Sequence, residues 1–212
     1  EFSFVEDLAV ILQAAKNSPI ALEKTPEGFY IPSETVISSL PFNNLSYDPS
    51  YIDHLIKKLS FVKLIDTSTG EIEIEEAAEQ WLSMPLDNQS LYFYRHPLNR
   101  LTNEKISSTI CTEKSMREAE KSIIRVLDAG WVLFDEFFDG ILAPLGPNST
   151  VTLKKFGRNW RYTLPEYSEE ESAFLSSVVL DWLFEAGIVQ VGSFKGKECF
   201  RVTTLGKTLF AR

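Results

Sequence analysis

Two stretches far apart in the chain carry the same pattern of residues. The first is HLIKKLSFVKLIDTSTGEIEIEEAAEQWL, residues 54–82, and the second is VLDWLFEAGIVQVGSFKGKECFRVTTLGKTLF, residues 179–210. In each, helical spacing gives way to a short apolar run, a Gly-containing turn, a second extended run and an amphipathic helix ending in an aromatic residue or Leu. A lone two-stranded hairpin is marginal in water, so each hairpin is expected to lie against helices of its own. Helices upstream of a two-stranded hairpin are the order of a winged helix. The pattern therefore predicts a helix-rich α+β chain of two tandem winged-helix modules with short β-hairpin wings. The first would span residues 1–85, a helical connector 86–112, and the second module 113–212.

The upstream segments fit this reading. Phe4, Leu8, Ile11 and Leu12 predict an amphipathic helix over residues 4–16. Two short extended pieces are expected around the Pro26-Glu27-Gly28 turn. Ser33 is placed to cap a second helix that Pro41 stops, and Pro49 opens a third, with Ile52, Leu55, Ile56 and Leu59 on one stripe. In the second module, EKSMREAEKSIIRVLDAG predicts a helix closed by Gly130, and WVLFDEFFDGIL a second helical piece. VTLKKF and WRYTL predict two strands around Gly157, and Ser168 with Glu171 forms a capping box for a long apolar helix. Trp81 and Trp182 fall on apolar stripes and are expected in the cores.

The stretch LIDTSTGEIEIEEAAEQWLSMPLDNQSLYFY, with its glycine turn, strand, small-residue helix and Trp81-Leu82, resembles the helicase-associated winged-helix region of bacterial XPB-type helicases and their stand-alone relatives. The ending around Thr204-Leu205-Gly206 is similar to the close of that region. The resemblance covers most of the chain. It implies a place in a nucleic-acid-processing system without the motor, because no G-x-x-x-x-G-K-[ST] phosphate loop occurs in these residues.

Catalytic patterns are likewise missing from the sequence: there is no G-x-S-x-G elbow, no H-E-x-x-H and no His/Cys cluster at metal spacing. Neither an enzyme nor a cofactor is expected. Asp135 and Asp139 share a helix face within D-E-x-x-D, where a solvated acidic surface is the expectation. His54 is expected on the surface and His96 in aromatic packing. Cys111 and Cys199, far apart and without CxxC spacing, fit a reducing, cytoplasmic setting. No apolar run reaches membrane length, so no membrane partner is expected.

Charge divides the chain. Residues 1–110 hold 8 basic and 16 acidic side chains, and residues 151–212 hold 9 and 7, within a formal net charge of -9. Phosphate neutralisation supplies much of nucleic-acid affinity, so the second half is the better surface for it. Candidate contacts are Phe194, Lys195, Lys197 and Arg201 on the second wing, and Arg158 and Arg161 around Trp160. Lys57 and Lys58 on the third helix of the first module are also candidates, although Asp53 and the acidic first hairpin stand beside them. The second wing stays open to two readings: a phosphate- or base-contacting tip, or lysines that discourage edge pairing. Two functions follow. One is a module that docks to a protein partner in a nucleic-acid-processing or regulatory system. The other is a DNA-binding regulator or helicase accessory that uses the second wing.

Overall fold

The computed structural model describes residues 2–43, 48–96, 110–146, 149 and 151–211. The chain divides into two compact units, Phe2–Arg100 and Leu101–Arg212. Asn44 and Asn148, each in an Asn-x-Ser/Thr pattern, lie outside the described residues, as does Pro97.

The first unit begins with α1 (Ser3–Asn17), followed by β1 (Ile20–Ala21) and a small hairpin of β2 (Glu23–Lys24) and β3 (Tyr30–Ile31). Helices α2 (Glu34–Ser39) and α3 (Pro49–Phe61) come next, then β4 (Ile65–Asp66), β5 (Glu71–Ile74), α4 (Glu76–Leu82) and α5 (Leu86–Arg95). The three-stranded sheet has the order β1-β5-β4, antiparallel throughout. Leu8, Leu12, Leu55, Leu59 and Trp81 are fully buried, as is Ile72 on the middle strand. The segment expected as a connector supplies α5, whose Phe93 ring meets the Trp81 ring edge-on at 5.7 Å inside the first unit.

The second unit has α6 (Glu113–Lys121) running into a 3-10 turn at Ser122–Val126, then β6 (Val132–Leu133) and α7 (Phe134–Asp139). A hairpin of β7 (Thr152–Phe156) and β8 (Asn159–Thr163) follows. The long helix comprises α8 (Glu169–Ser176), a π-helical stretch at Ser177–Trp182 and α9 (Leu183–Glu185). β9 (Val189–Phe194), β10 (Lys197–Val202) and α10 (Thr204–Phe210) close the chain. The sheet order is β6-β10-β9, so the middle strand is again the last one made. Phe134 and Phe137 pack on Phe200, the latter edge-on at 4.9 Å.

The two units match bond for bond where the third helix enters the hairpin. Leu64 N–H donates to the Leu59 carbonyl at 2.9 Å, and Ile188 N–H to the Leu183 carbonyl at 2.8 Å. Glu75 N–H reaches back to the Leu64 carbonyl and Thr203 N–H to the Ile188 carbonyl, both at 3.0 Å. Each helix ends through a residue with positive φ, Lys63 at 57° and Gly187 at 65°. The left-handed conformation ends the helix and frees the chain to reverse, and glycine adopts it without the Cβ clash that Lys63 carries. Each unit also buries one carboxylate of its first helix against the third helical segment. Tyr51 donates to Asp7 at 2.7 Å, and the Trp182 indole N–H donates to Glu120 at 3.0 Å.

Three sequence expectations need correction. The stretch WVLFDEFF is a two-residue strand before a six-residue helix, because Val132 and Leu133 pair with Phe200 and Cys199. The helix after Glu113 tightens to 3-10 geometry from Ser122 and leaves Ile124 exposed. Ser33 occupies the N-cap of α2 without a side-chain bond to it. The capping box at Ser168 and Glu171 forms both of its bonds, and the Glu171 carboxylate goes on to accept from Ser149 at 2.9 Å.

Candidate nucleic-acid interface

A helix that enters a groove must offer an open polar face. On α3 that face is closed. Lys58 is only 7% exposed and Asp53 is buried as well, because α3 packs against β3 in addition to the core. Lys57 is exposed, and its ammonium sits 3.0 Å from the Asp53 carboxylate, a turn away on the same helix. His54, expected at the surface, is half-buried with its ring 5.8 Å from Phe4. The hairpin that follows, together with α4, presents Asp66, Glu71, Glu73, Glu75, Glu76 and Glu79, all exposed, to any approaching phosphate. In the second unit, the exposed residues from Glu169 to Glu185 are Glu169, Glu170, Ala173 and Asp181, three of them acidic.

The β9–β10 hairpin, expected as the second wing, has Lys197 and Arg201 engaged by neighbouring side chains. Lys197 pairs with Asp135 at 3.2 Å. The Arg201 guanidinium lies 5.2 Å over the Trp131 ring and donates to Gln190. Trp131 itself lies against Gly192, where a Cβ would come within 3.2 Å of the indole. Phe194, 57% exposed, and Lys195, whose ammonium rests 5.2 Å over the Phe194 ring, remain at the tip. The closing motif has a packing role. Thr203 caps α10 by accepting from Gly206 N–H at 3.1 Å and donates to the Gly187 carbonyl at 2.7 Å. A Cβ on Gly206 would collide with the Ile188 carbonyl oxygen and press on Val202.

Arg158 and Arg161 belong to a different element, the β7–β8 hairpin. Its register pairs Lys155 with Trp160, Lys154 with Arg161 and Leu153 with Tyr162. Trp160 is 61% exposed and Tyr162 75% exposed. Every residue of the two strands is exposed except Thr163, which is half-buried. Residues 151–164, VTLKKFGRNWRYTL, contain four cations and no carboxylate. Among the described residues no hydrogen bond or ion pair engages the side chains of Lys154, Lys155, Arg158 or Arg161. Lys16, Lys57, Arg117, Lys121, Lys197 and Lys207 each have an acidic partner. Sequence reasoning singled out Arg158, Arg161 and Trp160 and missed Lys154, Lys155 and Tyr162. The signal for them was the absence of acids across the whole hairpin.

No group of three or more His, Cys, Asp or Glu is placed to hold a metal ion among the described residues. No described helix is long and apolar enough to cross a membrane. Comparison with family models, with curated proteins and with solved structures finds no match.

Proposed function

We propose that the chain is a non-catalytic pair of winged-helix modules that works by docking to a protein partner within a nucleic-acid-processing or regulatory system. The winged-helix reading rests on the shared order of both units, helix-strand-helix-helix-hairpin with the last strand in the middle. The docking reading rests on one observation above all: both third helices are withheld from a groove, α3 by burial of Lys58 and Asp53 and the Glu169–Glu185 segment by burial and acidic exposed residues. The six exposed carboxylates between Asp66 and Glu79 repel phosphate and suit a basic protein surface. The alternative, DNA contact by the second wing, is supported by Phe194 and Lys195 alone, since Lys197 and Arg201 are engaged locally.

Two measurements test this reading. Lys57→Glu is expected to change duplex DNA affinity by less than about twofold, and a tenfold loss would overturn the withheld-helix argument. Pull-down with the tagged chain is expected to retain a set of proteins that the Glu71→Lys/Glu73→Lys double variant loses. Recovery of the same proteins with both would remove the acidic rim as the docking surface.

A further inference from the structure

We infer that the β7–β8 hairpin is a contact for single-stranded nucleic acid, with Trp160 and Tyr162 as stacking platforms and Lys154, Lys155, Arg158 and Arg161 as phosphate contacts. The inference is independent of the winged-helix reading, because it rests on the hairpin alone.

The register divides the hairpin into two faces, since side chains alternate along a strand. Leu153, Lys155, Trp160 and Tyr162 share one face, and Thr152, Lys154, Arg161 and Thr163 the other. The first face is apolar and aromatic in water, with Leu153 half exposed beside Trp160 and Tyr162. That much apolar surface left in water adds nothing to folding, and a patch of this kind marks an interaction site. The charge around it identifies the occupant. A protein with 30 acidic and 21 basic residues places four cations on 14 consecutive residues with no carboxylate among them, while Lys16, Lys57, Arg117, Lys121, Lys197 and Lys207 each pair with a carboxylate. A polyanion with apolar faces of its own satisfies both features, and unpaired nucleobases on a phosphate backbone are that chemistry.

Geometry favours unpaired bases over a duplex. Trp160 and Tyr162 are two residues apart on one strand, so their side chains emerge about 6.8 Å apart, room for one base at the roughly 3.4 Å stacking repeat of each strand. Bases inside a duplex have no free face to offer such rings. Lys155 shares the aromatic face and Arg158 sits at the turn, so a strand crossing the rings meets charge along its path, while Lys154 and Arg161 emerge from the opposite face and meet the backbone where it passes the edge of the hairpin. The backbone chemistry is shared by DNA and RNA, and the 2′-hydroxyl separates them.

The test is fluorescence anisotropy of the full chain with 12-nucleotide dT and rU strands, a 12-base-pair duplex and an acidic peptide of matched charge, at 50 and 200 mM salt. The single strands are expected to bind more tightly than the duplex, with affinity falling up to about 50-fold over that range if all four cations meet phosphates. Trp160→Ala/Tyr162→Ala should cost at least about tenfold with the salt slope unchanged. Arg158→Gln/Arg161→Gln should lower the slope by about 1.4. Melting temperatures of both variants verify folding, which exposed positions should not disturb. Tighter binding to duplex, binding to the acidic peptide alone, or binding unaffected by both variants would each overturn the assignment. A preference between dT and rU tells which polymer the hairpin takes. The acidic-rim pull-down reads a different surface, so either proposal can fail without the other.

Discussion

Each unit carries an extra hairpin, and the two meet opposite fates. The β2–β3 hairpin follows the first strand of its unit and folds back on α3, burying Ile31. The β7–β8 hairpin is inserted between the second and third helical segments of its unit and leaves Trp160, Tyr162, Leu153 and Phe156 in solvent. Their charges differ as well. The covered hairpin mixes Glu23, Lys24 and Glu27, whereas the standing one holds cations only. A hairpin that contributes to a core must send a side chain into it, as Ile31 does. A hairpin that sends none is retained for what it touches.

The sharpest way to break this comparison is to truncate one residue in each hairpin. Ile31→Ala should destabilise the first unit by about 2–5 kcal/mol, while Leu153→Ala should change the second by no more than about 0.5 kcal/mol. Urea unfolding of both variants reads the difference, and equal effects would mean that the β7–β8 hairpin is packed after all.

A second contrast lies at the matching third position of the closing helices. Ala78 fills it in α4 with a buried methyl, whereas α10 has Gly206 against the Ile188 carbonyl. Gly206→Ala is expected to cost about 1–3 kcal/mol by overpacking, and Ala78→Gly about 1 kcal/mol through helix propensity. A Gly206→Ala variant as stable as the parent would show that the close approach is relieved at no cost. At the positive-φ helix ends, Gly187→Ala should lose about 1 kcal/mol through the strain that Lys63 already bears in the first unit. Thermal melts of the two variants, with Lys63→Ala as the control near zero, resolve it.

The smallest effect expected is on pH. Burial, and then the Lys63 charge, hold the His96 imidazole below its ordinary range. A depressed folded value means that the neutral ring is favoured in the folded state. Its stabilising contribution is present above the ordinary value near 6.5 and is lost as pH falls through the folded value. The first unit should therefore melt slightly earlier at pH 5.5 than at pH 7.5, and His96→Gln should flatten that part of the profile.

The internal repeat was legible because hydrophobic period and glycine placement are local signals, and both hairpins obey them. Trp81, Trp182 and the Ser168 capping box were legible for the same reason. The strand β6 was not, since two residues within WVLFDEFF have no period of their own and acquire strand geometry from Phe200 and Cys199, far along the chain. The burial of Lys58 was also hidden: packing by β3 widens the covered face of α3 beyond its apolar stripe. Engagement of Lys197 by Asp135 and of Arg201 by Trp131 joins residues more than sixty positions apart. Composition alone showed those cations, and only the fold shows which are already engaged.

The β7–β8 hairpin is the face proposed to meet single-stranded nucleic acid. Heteronuclear NMR of the chain titrated with a 12-nucleotide dT strand tests it most directly. The Trp160 indole signal and the amides of residues 152–163 are predicted to shift first and most, with α3 and Lys57 unmoved. Shifts confined to α3 or to the Phe194 tip, with Trp160 unperturbed, would contradict the account.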